Sequence, residues 1–420
     1  MKILWFTNVP LPEASTLMSE APQPYGGWLI EIAKILAVHT DISLSIAFPH
    51  KGKCIHEKLV GEKICYYPFR WDPHFAGLGF DYTDIERIIG NVNPDLIHVF
   101  GSELPHCQAV VRAGEQLQIK TVITIQGLVS ILAKHTHANL PSRVVWGATL
   151  RNLLLGDSVD GMRNLFEKRG RDEIDALRRV RYVIGRTSWD NACVRQINPN
   201  VTYFFCNETL REEYYMSQWD LDFCEEHSMF LSQGQYSIKG LHFVLEAMPT
   251  ILKQYPCVKL YVAGKNIIAC DTLREKVMLT YYGKYIGDMI RRNNLQEHVV
   301  FLGLLDSTEM CARHIKSHVF VCPSSIENSP NSLGEAMILG VPSVASYVGG
   351  IPDMLTHGID GFLYQHDAPY MLAHYVCAIF RDRELAAKLS FNARSRALKR
   401  HHADTNVKTL LDIYAEIMAR

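Results

Sequence analysis

The chain has 420 residues, with 43 Lys and Arg against 44 Asp and Glu. The length exceeds one ordinary core and predicts two domains of about 200 residues each; the balanced charge excludes a global field toward nucleic acid, so no nucleic-acid partner is expected and any membrane attraction must be local. Eleven cysteines, from Cys54 to Cys377, are odd in number and include no CxxC pair, which argues against a secreted disulfide framework and for a reducing cytoplasm.

In chain order, short apolar runs predict strands at Ile3-Thr7, Ser43-Phe48, Leu96-Phe100, Thr121-Ile125, Tyr182-Gly185 and Tyr203-Phe205. A second series runs through Met229-Ser232, Lys259-Ala263, Val299-Leu302, Val319-Cys322, Ser343-Ala345 and Phe362-Tyr364. Amphipathic segments alternate with both series, the pattern of two parallel sheets covered by helices, an α/β fold. The apolar periodicity lapses over 207–226, the expected linker between a domain at 1–206 and one at 227–400, and charged helical segments close the chain. No run approaches the roughly 18–20 apolar residues that span a bilayer, and the N-terminus enters a strand pattern directly, so a cytoplasmic protein is expected, soluble or peripheral at the inner face of the membrane.

Several positions carry chemistry. Gly26-Gly27 comes after Pro10, Pro12, Pro22 and Pro24 and precedes a helix, where glycines let a backbone approach a ligand. The G-x-G-x-x-G dinucleotide fingerprint is absent. His98 and Glu103 bracket a strand end and are candidates for acceptor contacts, with an interior His the commoner fate of His98's apolar setting. Gln126, at the end of Thr121-Ile125, can position a ligand but cannot shuttle a proton near neutral pH. The stretch 130–171 mixes basic, aromatic and apolar residues, as a lip for a lipid-linked acceptor would, although an ordinary packed amphipathic helix looks the same. Asp220-Leu-Asp222 lies in the linker rather than at a strand end, and His135-Thr-His137 and His401-His402 lack metal-ligand partners, so no metal is expected and these histidines read as solvated.

Lys239-Gly240 comes just after the first strand of the second domain, where a Lys can neutralise a leaving diphosphate without a metal ion. Further on, Glu327-Asn-Ser-Pro-Asn-Ser-Leu-Gly-Glu335 puts two carboxylates eight residues apart across a loop that opens into a helix. Ser329, Asn331, Ser332 and Leu333 would aim backbone N–H groups and the positive dipole end at a diphosphate. Glu335 can hold the paired hydroxyls of a ribose, and Glu327 can reach groups further out.

These motifs, with Ser237-Ile-Lys239-Gly240-Leu, Gly349-Gly350-Ile-Pro352 and His357-Gly-Ile-Asp-Gly361-Phe-Leu, resemble the retaining glycosyltransferases of family 4. The resemblance implies the GT-B fold, two Rossmann-like domains facing each other across a cleft, with the last helix, here 401–420, crossing back to the first domain. It also implies that Gly26, Gly27, Lys239, Ser329, Asn331, Ser332, Leu333 and Glu335 contact a nucleoside diphosphate sugar, with Glu327, Lys239 and Gln126 at the reacting centre. Two departures stand out. The family's second phosphate-binding cation, an Arg, is replaced by the Gly234-Gln235-Tyr236 stretch, leaving Arg186 and Arg211 as candidate substitutes, and Gln126 stands where many members carry His.

The expected activity is retaining transfer of a hexose-type sugar from a UDP- or GDP-sugar to a hydroxyl of a glycan or lipid-linked glycan, without cofactor or metal. Resemblance to bacterial polysaccharide-assembly members suggests capsule, exopolysaccharide or O-antigen synthesis. Two rival readings stay open: a nucleotide-sugar epimerase on the same fold, and a non-catalytic nucleotide-binding partner subunit.

Overall fold

The computed structural model describes residues 1–22, 26–51, 58–71 and 82–420; Pro24 and Cys54 lie outside the described residues. The chain forms two compact units. The first contains Met1–Ser130, Glu167–Leu210 and His401–Arg420, and the second contains Ile131–Phe166 and Arg211–Arg400.

Eight strands form the sheet of the first unit: β1 (Lys2–Phe6), β2 (Ser43–His50), β3 (Leu59–Val60), β4 (Cys65–Arg70), β5 (Leu96–Phe100), β6 (Lys120–Thr124), β7 (Tyr182–Gly185) and β8 (Thr202–Phe205). Their order is β3-β4-β2-β1-β5-β6-β7-β8, parallel throughout except that β3 runs antiparallel to β4. Ile3, Leu4, Trp5 and Phe6 are all fully buried, as a central strand covered on both faces requires. The Ala403–Ala419 helix adds Val407, Leu410, Ile413, Tyr414 and Ile417 to this core, a stripe with the three-to-four-residue spacing of one helix face. The Tyr414 hydroxyl accepts from Trp5 Nε1 at 3.1 Å.

The second sheet contains β9 (Glu225–Leu231), β10 (Lys259–Ala263), β11 (Val299–Gly303), β12 (Ser317–Cys322), β13 (Ser343–Ser346) and β14 (Phe362–Tyr364). It is parallel throughout, in the order β11-β10-β9-β12-β13-β14.

The units divide the chain differently from the expected domains. The passage between them falls at Leu210 and Arg211, inside the expected linker, but residues 211–226 are an integral part of the second unit. Tyr214, in the Glu212–Tyr215 helix, is fully buried, and Trp219 donates from Nε1 to Ser317 O at 2.8 Å. Residues 131–166, assigned from sequence to the first domain, also belong to the second unit. Ser237 Oγ donates to Thr136 O at 2.6 Å, and His242 Nε2 lies 2.8 Å from Ala138 O, which ties that stretch to the start of the second Rossmann-like array. His401 is buried against Glu208 O rather than solvated, and His402 caps the final helix by accepting from Thr405 N.

Candidate functional site

In the second unit, Lys239 and Glu327 meet because two glycines permit backbone to touch backbone. Lys239 ends a single helical turn, Ser237–Lys239, and is succeeded by Gly240 at φ +75°. A Cβ on Gly240 would lie 2.0 Å from Pro323 O, so only glycine lets this turn lie against the loop that leaves β12. Ser325 N completes the clamp by donating to Ile238 O at 2.8 Å. On the other side, Gly349 adopts φ +50° with its Cβ position 1.9 Å from Glu327 O, and Gly350 N donates to the same oxygen at 3.0 Å. Lys239 Nζ then donates to Glu327 Oε1 at 2.6 Å, and Ser324 Oγ donates to the same atom at 2.8 Å. Burial works against the Lys239 charge, but the Glu327 carboxylate more than offsets it, and the net shift is upward, so the ammonium stays charged.

The Asn331–Leu339 helix starts four residues beyond Glu327, with Pro330 at its cap position and no side chain capping it. Leu333 N and Gly334 N donate to Pro330 O, so the amides of Asn331 and Ser332 are the ones this helix leaves to an outside acceptor. Leu333 itself is fully buried and anchors the turn, while Ser329 is buried with its hydroxyl toward Met354 Sδ. Glu335 lies beyond the first turn, where an acidic residue would merely complement the dipole. It is 7% exposed, and burial pushes its carboxyl up to about 7 against the pull of Arg211 and the Tyr214 hydroxyl. Arg211 therefore belongs to the surroundings of Glu335. A carboxyl so placed gains from hydrogen-bond donors that would hold it ionised.

The first unit gathers its candidates at the ends of its strands. Gly26, at φ +79°, starts the Gly27–Val38 helix with its Cβ position 2.5 Å from the Val9 side chain, so the close approach the paired glycines allow is made to the loop after β1. Glu103 accepts from Gly127 N at 2.9 Å and Asn8 Nδ2 at 3.3 Å, linking the loops after β1, β5 and β6. Burial raises its pKa, and these hydrogen bonds oppose the rise.

Three candidates are committed internally. His98 is fully buried, with Nδ1 2.6 Å from the Tyr414 hydroxyl and Nε2 2.6 Å from Thr124 Oγ1, and desolvation pushes it down to about 3. It is a neutral core histidine rather than an acceptor contact. Arg186 is 3% exposed and paired with Glu208, which also accepts from Gln126 Nε2 at 2.5 Å. Arg186 Nη2 donates in turn to Gln126 O and Oε1, each at 3.3 Å. Arg186, expected as a phosphate-binding cation, and Gln126, expected at the reacting centre, thus form one buried network around Glu208 within the first unit.

Sequence reasoning missed Glu208 and Glu173. Glu173 accepts from Ser102 Oγ at 2.7 Å, Val129 N at 3.1 Å and Ser130 N at 2.8 Å, and burial pushes it up to about 7. It sits within the long Val159–Arg179 helix with no motif around it. Glu208 had one usable signal, since a buried Arg at a strand end needs a carboxylate.

Residues 217–396 match the family model described as Glycosyl transferases group 1. An uncharacterized glycosyltransferase of Methanocaldococcus jannaschii, MJ1607, is 26% identical over 200 residues, 47% of this chain and 47% of that protein. The chain thus spans about half the length of that relative. Among solved structures, a sucrose-phosphate synthase from Thermosynechococcus elongatus superposes with a TM-score of 0.72 at 16% identity, covering 100% of both chains. Anabaena HepE in complex with UDP-glucose superposes with a TM-score of 0.70 at 17% identity, covering 99% of this chain and 100% of its own. The chain therefore has the two-domain α/β fold of the GT-B glycosyltransferases, and its residues 217–396, which hold Lys239, Glu327 and Glu335, are similar to the group 1 glycosyl transferases.

Proposed function

We propose that this chain transfers a sugar, with retention at the anomeric carbon, from a nucleoside diphosphate donor to a hydroxyl of a glycan or lipid-linked glycan. The observation that carries the reading is the buried Glu335 carboxyl, held one turn inside an uncapped helix start that comes shortly after the Lys239–Glu327 pair. In this reading the ribose hydroxyls donate to Glu335, the diphosphate receives the amides of Asn331 and Ser332, and Lys239 neutralises the charge that grows as it leaves. Glu327 takes the sugar hydroxyls and stabilises the oxocarbenium-like centre. The bond from the anomeric carbon to the diphosphate oxygen breaks, the bond to the acceptor oxygen forms on the same face, and the acceptor's proton passes to the departing phosphate oxygen. No side chain here is required as a covalent nucleophile, and none is required to take the proton.

The UDP-glucose complex of the HepE neighbour supports a UDP-sugar as the first donor to try. Gly26 and Gly27 are the first-unit candidates for donor contacts and Glu103 for the acceptor side, and surface-polysaccharide assembly in the cytoplasm is the setting that the sequence motifs favour. The test is a thermal-shift screen of UDP-, GDP- and ADP-sugars, since a bound donor stabilises the fold by mass action, and then product analysis with sugar acceptors. A glycoside product with release of the nucleoside diphosphate is expected. Conversion of donor alone into its epimer would overturn the reading in favour of an epimerase, and tight binding without turnover on any acceptor would make the chain a binding subunit.

A further inference from the structure

The short Leu150–Leu155 helix of the second unit is built inside out. Its polar residues point inward: Arg151 Nη1 donates to Met278 O at 2.7 Å and Nη2 pairs with Asp157 at 2.6 Å. Asn152 is buried, accepting from Tyr281 N at 2.9 Å and donating to Asp157 at 2.7 Å. These bonds fix the helix so that it cannot roll its leucines under. Leu150, Leu153, Leu154 and Leu155 therefore face solvent, Leu153 at 74% and Leu154 at 76% exposure. The Leu273–Met278 helix, which packs beside it, leaves Leu273 80% exposed, with Val277 and Met278 also open, and Trp146 stands exposed just before the inverted helix. On the inner side, Arg151 and Asn152 help line a cavity of about 450 Å³ that Leu150, Leu153, Leu154 and Leu155 do not reach.

A contiguous apolar face of this kind marks an interaction site, because water alone gives no reason to turn leucines outward. Its charge identifies the partner. Residues 131–166 and 265–292 together hold ten Lys and Arg against five Asp and Glu, whereas the whole chain holds 43 against 44. Arg274 and Lys276 are exposed between Leu273 and Val277 on the same helix. We propose that this face seats the protein on a bilayer containing anionic lipid. The leucines enter the boundary between headgroups and acyl chains, Trp146 lies at headgroup level, and Arg274 and Lys276 meet lipid phosphates. Among the described residues no helix is long and apolar enough to cross a membrane, so the contact is made by a surface rather than a span. The proposal is independent of the transfer reaction and is tested without it.

The test sediments the full chain with vesicles of phosphatidylcholine plus phosphatidylglycerol, and with vesicles of phosphatidylcholine alone. Binding to the anionic vesicles, weakening as salt is raised, is expected. Replacing Leu153, Leu154 and Leu273 together by Ser should weaken it about ten-fold or more at an unchanged melting temperature, and R274E with K276E should remove the preference for phosphatidylglycerol. Wild-type protein that stays in the supernatant, or a Ser variant that binds as well as wild type, would overturn the proposal. So would a wild-type dimer in light scattering that the Ser variant turns into monomer, since the face would then belong to a second copy of the chain.

Discussion

Lys239 Nζ and Glu327 Oε1 meet at 2.6 Å although 88 residues separate them, and each is held by a glycine whose missing side chain leaves room for a neighbouring carbonyl. The backbone packing thus fixes the ion pair. In the proposed reaction its two members would offer opposite charges to two parts of one donor: the cation to the leaving diphosphate, the carboxylate to the sugar.

Glu327→Gln keeps the shape and removes the charge. If the carboxylate acts on the cationic sugar, kcat should fall on the order of a hundred-fold while nucleotide affinity changes little. Steady-state kinetics with a working donor and acceptor, set beside the Kd of the free nucleotide, separates the two effects. Near-wild-type turnover would reduce Glu327 to a structural partner of Lys239.

Glu335→Ala should leave the fold intact and weaken nucleotide binding. Losing one set of charged hydrogen bonds is worth about 1.5–3 kcal/mol, roughly ten- to a hundred-fold in affinity. Calorimetric titration with UDP checks this, and an unchanged Kd would take Glu335 out of the site.

The raised pKa of Glu335 gives a separate signature. Because the folded carboxyl titrates near 7 rather than at the usual value near 4.5, its neutral form favours the fold, and that contribution is complete at low pH and lost as pH rises through about 7. In the proposed site, ribose hydroxyls would hold the ionised form. Binding of UDP at pH 7 should therefore release about half a proton more from wild type than from Glu335→Gln. Titrations in two buffers of different ionisation heat measure the difference, and equal proton counts would show that the carboxyl does not meet the nucleotide.

Gly240→Ala should impair turnover through position alone. The new Cβ would sit 2.0 Å from Pro323 O at a φ of +75°, so the turn carrying Lys239 must lift away from the β12 loop. A stability loss of about 1–3 kcal/mol is expected, together with loss of most activity. A variant that melts lower yet turns over normally would show that Lys239 need not be held there.

Turnover is expected to persist in EDTA, because Lys239 and the helix amides can carry the leaving charge. Asp222 is already paired with Arg383, and Asp220 Oδ1 accepts from Asp222 N at 2.9 Å. Loss of activity restored by manganese or magnesium would bring both aspartates back into consideration.

The fold was largely legible because parallel strands covered on both faces must be continuous apolar runs. Leu96–Phe100, Tyr182–Gly185, Lys259–Ala263 and Phe362–Tyr364 emerge with the bounds read from sequence. β4 was not legible, since Pro68 interrupts it; the strand tolerates the missing N–H because β3 pairs with Cys65 and Tyr66, leaving Pro68 with β2 as its one strand neighbour among the described residues. At the candidate site, spacing and place after strands singled out Lys239, Glu327 and Glu335, and the structure pairs the first two and buries the third. The roles of Arg186 and Gln126 were not, because they depend on Glu208, which comes near them only after folding. The inverted helix at Leu150–Leu155 was equally hidden: its composition is that of an ordinary buried segment, and only the anchoring of Arg151 and Asn152 shows which side faces out.

The hydrogen bond between Trp5 and Tyr414 spans 409 residues of chain, and His98 waits for the same hydroxyl. During synthesis the first sheet can collapse early, but the slot for Tyr414 stays empty until nearly all of the second unit has been made. Contacts of such sequence separation form late and leave apolar surface open in the meantime. Shortening the chain by its last helix would prolong that interval indefinitely, and the damage would surface first as aggregation of nascent protein rather than as slower catalysis.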